Sequence, residues 1–178
     1  KGNGLLPVPG WNDEYEWTGY IPFDELPHVV NPEEGFISTA NNKVISDDYP
    51  YHISNHWAQP YRQMRIQEVL NSKDQLTVED MQSLQMDKKN LQAQEFVPEF
   101  LNILEGDGDD KQQLALALLK KWDYLDSKDS AAPLIFNLWM TKISEVLFHD
   151  KIPEDTLELF QGQKQVVDEL LRKALSRE

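Results

Sequence analysis

The pattern of apolar and polar positions changes character near Trp57. Beyond it, apolar residues recur every three or four positions, the spacing of one face of an α-helix. Thr77 precedes Val78, Glu79 and Asp80, a hydroxyl N-cap ahead of acidic first-turn residues, so a helix is expected to about Met86. Leu91, Phe96, Phe100, Ile103 and Leu104 predict a second helix over 91–104. Leu114, Leu118, Trp122 and Leu125 predict a third. Pro133 suits a first helical position, with Leu134, Leu138, Ile143, Val146 and Leu147 following it. Pro153 opens a short further helix, and Val166, Val167, Leu170, Leu171 and Leu175 form one apolar face of a last one.

Before Ala58 no helical period is found. Six of the ten prolines, four of the six tyrosines and three of the five tryptophans fall there, which favours turns and extended backbone over helix. Pro7-Val8-Pro9-Gly10 and Asn31-Pro32 are turn or extended signals. Phe36–Ala40 is rich in β-formers and is a short-strand candidate. The expected fold is therefore mainly α. Residues 1–57 form an irregular, short-strand segment and residues 58–178 a helical lobe. Trp11, Tyr15, Trp17, Tyr20 and Phe23 are candidates for lining a hydrophobic cleft or for packing between two lobes.

Charge narrows the partners. The net charge is −14, from 2 basic and 9 acidic residues up to Trp57 and 15 and 22 after it. With no basic stripe, nucleic acid and an anionic membrane surface are not expected partners. The absence of cysteine excludes disulfides, thiol nucleophiles and thiolate metal sites from these residues. No apolar run reaches the roughly 18 residues of a spanning helix. Starting at Lys1 and ending inside a helical pattern at Leu175–Glu178, the sequence is expected to be an interior piece of a longer chain.

Several motifs suggest chemistry. Gly106–Asp110 resembles a calcium loop, but counted from Asp107 the positions that need Gly and Glu are Gln112 and Leu118. A solvated turn between helices is the better reading. His52 and His56 would share a face on a helix, as two zinc ligands do, yet the intervening Ile-Ser-Asn lacks the metalloprotease Glu and no third ligand is apparent. No metal ligand is assigned. His149 suits a helix C-terminus. Lys88-Lys89, Lys120-Lys121 and Glu33-Glu34 read as solvated faces. Asn41-Asn42 carries two readings. Asn tolerates positive φ and so makes turns, the reading that the pattern alone favours, and its amide can also donate to a developing oxyanion.

A family resemblance shifts the balance between those two. Trp17-Thr-Gly-Tyr-Ile-Pro-Phe23, Leu26-Pro27, Asn31-Pro32, Gly35-Phe-Ile-Ser-Thr-Ala-Asn-Asn42, Asp48-Tyr-Pro50 and Tyr61-Arg-Gln-Met-Arg-Ile66 occur in order. They resemble the interior of the large (β) chain of penicillin acylases (penicillin amidases). The likeness continues through Thr77–Met81 and Leu84–Asp87 and weakens toward Asn137-Leu-Trp139.

This resemblance implies an N-terminal nucleophile hydrolase of larger α+β architecture. In such enzymes a serine freed by self-cleavage attacks an amide carbonyl, with its own α-amino group as base. The resemblance makes Asn41 the side-chain oxyanion donor and Arg62 the arginine near the amino group and substrate, with Arg65 as rival. Asn41 and Arg62 are 21 positions apart, so the chain between them must fold back. The resemblance also implies an N-acyl amide substrate of penicillin or acyl-homoserine-lactone type, and a processed heterodimer with a small (α) chain and the rest of the β chain as partners. It further implies export to the periplasm or outside the cell. The nucleophile is expected upstream, so these residues alone would not catalyse. No cofactor is implied beyond a structural calcium, for which Tyr51-His-Ile-Ser-Asn55 offers no carboxylate. A catalytically inactive relative and a helical interaction module are the alternatives.

Overall fold

The structure, a computed structural model, describes residues 4, 6–106, 108–157 and 164–176. It divides into two compact units, residues 1–70 and 71–178.

The first unit has little regular structure until its end. Two short 3-10 turns, Asp13–Tyr15 and Phe23–Glu25, punctuate extended backbone. Asn12 caps the first by accepting from the Glu14 N–H at 3.2 Å. The second is pinned from above: Tyr49 Oη donates to Glu25 O at 2.9 Å and Tyr51 Oη to the Glu25 carboxylate at 2.6 Å. Phe36–Ala40 is not a strand. Its residues favour extended backbone, but no neighbouring segment among the described residues supplies the ladder that makes one. Helix α1, Tyr61–Leu70, closes the unit.

Among the described residues the helices of the second unit are α2 Val78–Gln85, α3 Leu91–Ile103, α4 Asp110–Lys120, α5 Ala132–His149, α6 Glu154–Leu157 and α7 Lys164–Ser176. The mainly helical expectation therefore holds. The starts are set by local chemistry. Thr77 and Asp80 form a reciprocal capping box on α2. Asn90 caps α3, and Asp109 with Gln112 makes a second capping box on α4. The Gly106–Asp110 stretch lies between α3 and α4, with Asp107 outside the described residues.

The core gathers Ala93, Phe96, Val97, Phe100, Leu119, Trp122, Ala132 and Phe136, with Leu171 and Leu175 of α7 packed against it. Helix α3 lies on α4, α4 on α5 and α5 on α7. Phe96 and Phe100 stack at 6.1 Å, and Trp122 meets Phe136 at 6.0 Å. One polar clasp ties the loops before α3 and after α4. Lys89 and Leu125 form an antiparallel bridge, Asn90 N donates to Tyr124 O at 2.8 Å and Asp126 N to Lys88 O at 2.9 Å.

The third predicted helix is corrected at its end. Helix α4 stops at Lys120, and Trp122 and Leu125 lie in the loop beyond. There Tyr124 adopts φ 62° and Trp122 Nε1 donates to Leu125 O at 2.9 Å, so the indole closes a turn and does not extend a helix. The faces differ too. Leu114 and Leu118 are exposed, while Leu119 and Trp122 are buried.

Candidate active site

The first unit brings together Asn41 and Arg62, which are 21 positions apart in the sequence. Arg62, in the first turn of α1, donates through Nη2 to Ala40 O at 2.7 Å and to Asn41 Oδ1 at 3.0 Å. The Ala58 N–H donates to Asn41 O at 2.7 Å, and Gln63 reaches Ser38 Oγ at 3.4 Å. Residues 38–42 are thereby stitched to 58–63, which is the fold-back that the pairing requires.

Asn41 sits at φ 62°, in the left-handed region. Asn occupies that region more readily than most residues, so the turn reading and the donor reading apply to the same residue. The turn is held from its other side by Asn42. Its Oδ1 accepts from the Ala40 N–H at 3.0 Å and its Nδ2 donates to Lys43 O at 3.1 Å. Ala40, between these two clasps, is buried.

The chemistry of the pair follows from donor and acceptor inventories. A guanidinium has only donors. The Asn41 atom facing it must be the carbonyl oxygen, which turns the amide nitrogen the other way. Among the described residues nothing accepts from that nitrogen, and Asn41 is exposed. A cation on the oxygen also draws electron density out of the amide and strengthens the free N–H as a donor. The site is thus an oriented, polarised N–H on a fixed turn, as an oxyanion needs. Arg65 pairs with Glu68 at 2.9 Å on α1, whereas Arg62 is the residue placed on the amide.

The remaining candidates are placed elsewhere. His52 and His56 lie on irregular backbone, so they do not share a helical face. No group of three or more His, Cys, Asp or Glu among the described residues is arranged to hold a metal ion. His149 is the last residue of α5. The sequence pointed to Asn42 only as part of a turn, and it did not point to Ala58 or Gln63. The Asn-Asn pair was the available signal for Asn42, since each Asn can bond to nearby backbone. Ala58 contributes only its N–H, which no side chain announces.

Comparison with known proteins assigns the class. The penicillin amidase family matches residues 1–177, and the chain belongs to that family of amidohydrolases. A penicillin acylase 2 proenzyme from a Pseudomonas species is 44% identical over 87 residues, 49% of this chain and 11% of that protein. An acyl-homoserine lactone acylase (QuiP) from Pseudomonas fluorescens is 29% identical over 174 residues, 91% of this chain and 21% of that protein. A penicillin G acylase from Escherichia coli is 30% identical over 151 residues, 78% of this chain and 18% of that protein. The chain therefore spans about a fifth or less of the length of these relatives.

Proposed function

We propose that these residues supply the side-chain half of an oxyanion hole to a longer hydrolase of N-acyl amides. The observation that carries this reading is the Arg62–Asn41 pair, which leaves the Asn41 amide nitrogen oriented, polarised and, among the described residues, without an acceptor. In the complete protein an N-terminal serine, outside these residues, attacks the amide carbonyl. Its hydroxyl proton passes to its own α-amino group and on to the leaving amine. The carbonyl oxygen becomes an oxyanion that Asn41 Nδ2 and a backbone N–H stabilise. Collapse breaks the C–N bond and leaves an acyl-serine, and water then releases the acid. Arg62 acts through Asn41 as a positioning residue. Its permanent charge also favours a neutral α-amine nearby, the form that a base needs.

The substrate class is an N-acyl compound of the penicillin or acyl-homoserine-lactone type, as the names of the relatives suggest. Self-cleavage into a heterodimer is supported by the proenzyme name of one relative. We assign an exported location on the resemblance alone. The test is an assay of the complete protein on a chromogenic phenylacetyl amide and on a long-chain acyl-homoserine lactone, with the mass of each chain measured. Two chains and release of acid from either compound are expected. An intact single chain inert toward both would favour a catalytically inactive relative.

A further inference from the structure

An aromatic rib runs along the irregular part of the first unit. Trp17, Tyr20 and Phe23 are 85%, 92% and 88% exposed, and Trp11 is 85% exposed. Large apolar side chains clustered this openly are unusual on a protein surface and mark an interaction site. Their spacing is three residues, which is one turn of polyproline II helix. The backbone flanking them is in or near that region: Glu16 at φ −66°, ψ 158°, Pro22 at −53°, 137° and Leu26 at −65°, 143°. A polyproline II path sets side chains three apart on one side, and the Trp17 and Tyr20 rings meet at 6.4 Å.

The rib is not a loose end. The Phe23–Glu25 turn is fastened to Tyr49 and Tyr51, whose rings pack edge-on at 5.8 Å. Its fastened side is therefore Glu25, while Phe23 is left open. Charge along the rib has one sign. Asp13, Glu14, Glu16, Asp24, Glu25, Glu33 and Glu34 lie between Trp11 and Ile37, with no Lys or Arg.

We propose that Trp17, Tyr20 and Phe23 dock into an apolar groove with a Lys/Arg rim on the polypeptide outside residues 1–178. The occupant follows from length and charge. Residues 1–178 correspond to only 21% of the QuiP acylase that they align with most fully among the relatives described. A second copy of the chain would set one acidic rim against another. The inference rests on membership of a longer acylase, but not on the assignment of Asn41.

The complete protein, carrying Phe23→p-benzoylphenylalanine, would be irradiated and its cross-linked peptides identified. Cross-links to residues outside 1–178 of the same molecule are expected. Cross-links only within residues 1–178, or only to a second molecule, would overturn the proposal. Hydroxyl-radical labelling of the unsubstituted protein guards against misfolding of the variant. Trp17 and Tyr20 should label at least about tenfold more slowly in the native protein than in urea, and equal rates would overturn the proposal. Loss of turnover in Asn41 variants with protection intact would separate the two readings.

Discussion

Asn41 at φ 62° limits what can replace it. A β-carbon there crowds the following carbonyl, at about 1–2 kcal/mol for an ordinary L-residue. Asn41→Ala would mix backbone strain with loss of the donor, whereas Asn41→Gly keeps the backbone and removes only the amide. In the proposed reading Arg62 acts one step back, through its bond to Asn41. Arg62→Leu frees the Asn41 amide to rotate and removes a charge-assisted bond, commonly about 1.5–3 kcal/mol and toward the lower end at an exposed site. The expected result is a kcat lowered roughly tenfold or more with KM little changed. In an Asn41→Gly background the same substitution should cost far less, because the two residues act as one unit. Equal losses in both backgrounds would refute the positioning role. The types of these residues could be read from the chain, and the family likeness paired them. Their contact could not be, since it depends on backbone bonds such as Ala58 N to Asn41 O that no side chain signals.

The helices show what patterning can and cannot reveal. Existence was readable wherever a cap or proline marked a start, as at Thr77 and Pro133. Faces were less so. On α7 the chain offers apolar residues on more than one side, and Val167, Leu171 and Leu175 face the core while Val166 and Leu170 are exposed. Helix α1 buries no residue, and neither a cap nor a proline at its first position marks its start.

Capping chemistry gives a pH prediction. Lys73, bonded at 2.5 Å, and then Thr77 hold the Asp80 carboxyl well below its ordinary 3.8, at about 2. A depressed carboxylate stabilises the fold above its unfolded value and loses that contribution as pH falls from near 3.8 through about 2. NMR titration of Asp80 should give a midpoint near 2, moving toward 3.8 in Lys73→Ala. An unshifted midpoint in the wild type would contradict the capping account.

Helix α7 is held by a buried polar contact that the pattern did not single out. Asp168 is 1% exposed and accepts from Gln92 Nε2 at 2.7 Å. Beside it Arg172 binds Glu95 at 2.6 and 3.0 Å. Asp168→Leu leaves a part-buried amide without its acceptor, at about 1–3 kcal/mol. Asp168→Asn keeps a carbonyl there and should cost less. Urea melts of the three proteins would show that order, and equal midpoints for Leu and Asn would contradict it.

Across the molecule, the two units divide the work. Residues 71–178 hold the shared apolar core, while residues 1–70 hold the polar turn and the aromatic rib. The helical character of the second was legible because a core imposes a period on sequence. Among the described residues the first has no core of that kind. Its Phe36–Ala40 segment has the composition of a strand but no partner strand among the described residues, and composition cannot supply one. The acidic charge of both parts, −14 in all, gives no indication of the site, which rests on one arginine and one amide.

The central claim is that the free Asn41 N–H stabilises the oxyanion. The most direct test is the kcat of Asn41→Gly in the complete protein, with chain masses confirming normal processing. A fall of about 10²–10³, with melting temperature nearly unchanged, is the predicted result. A correctly processed variant with wild-type kcat would contradict the claim and leave Asn41 as a turn residue only.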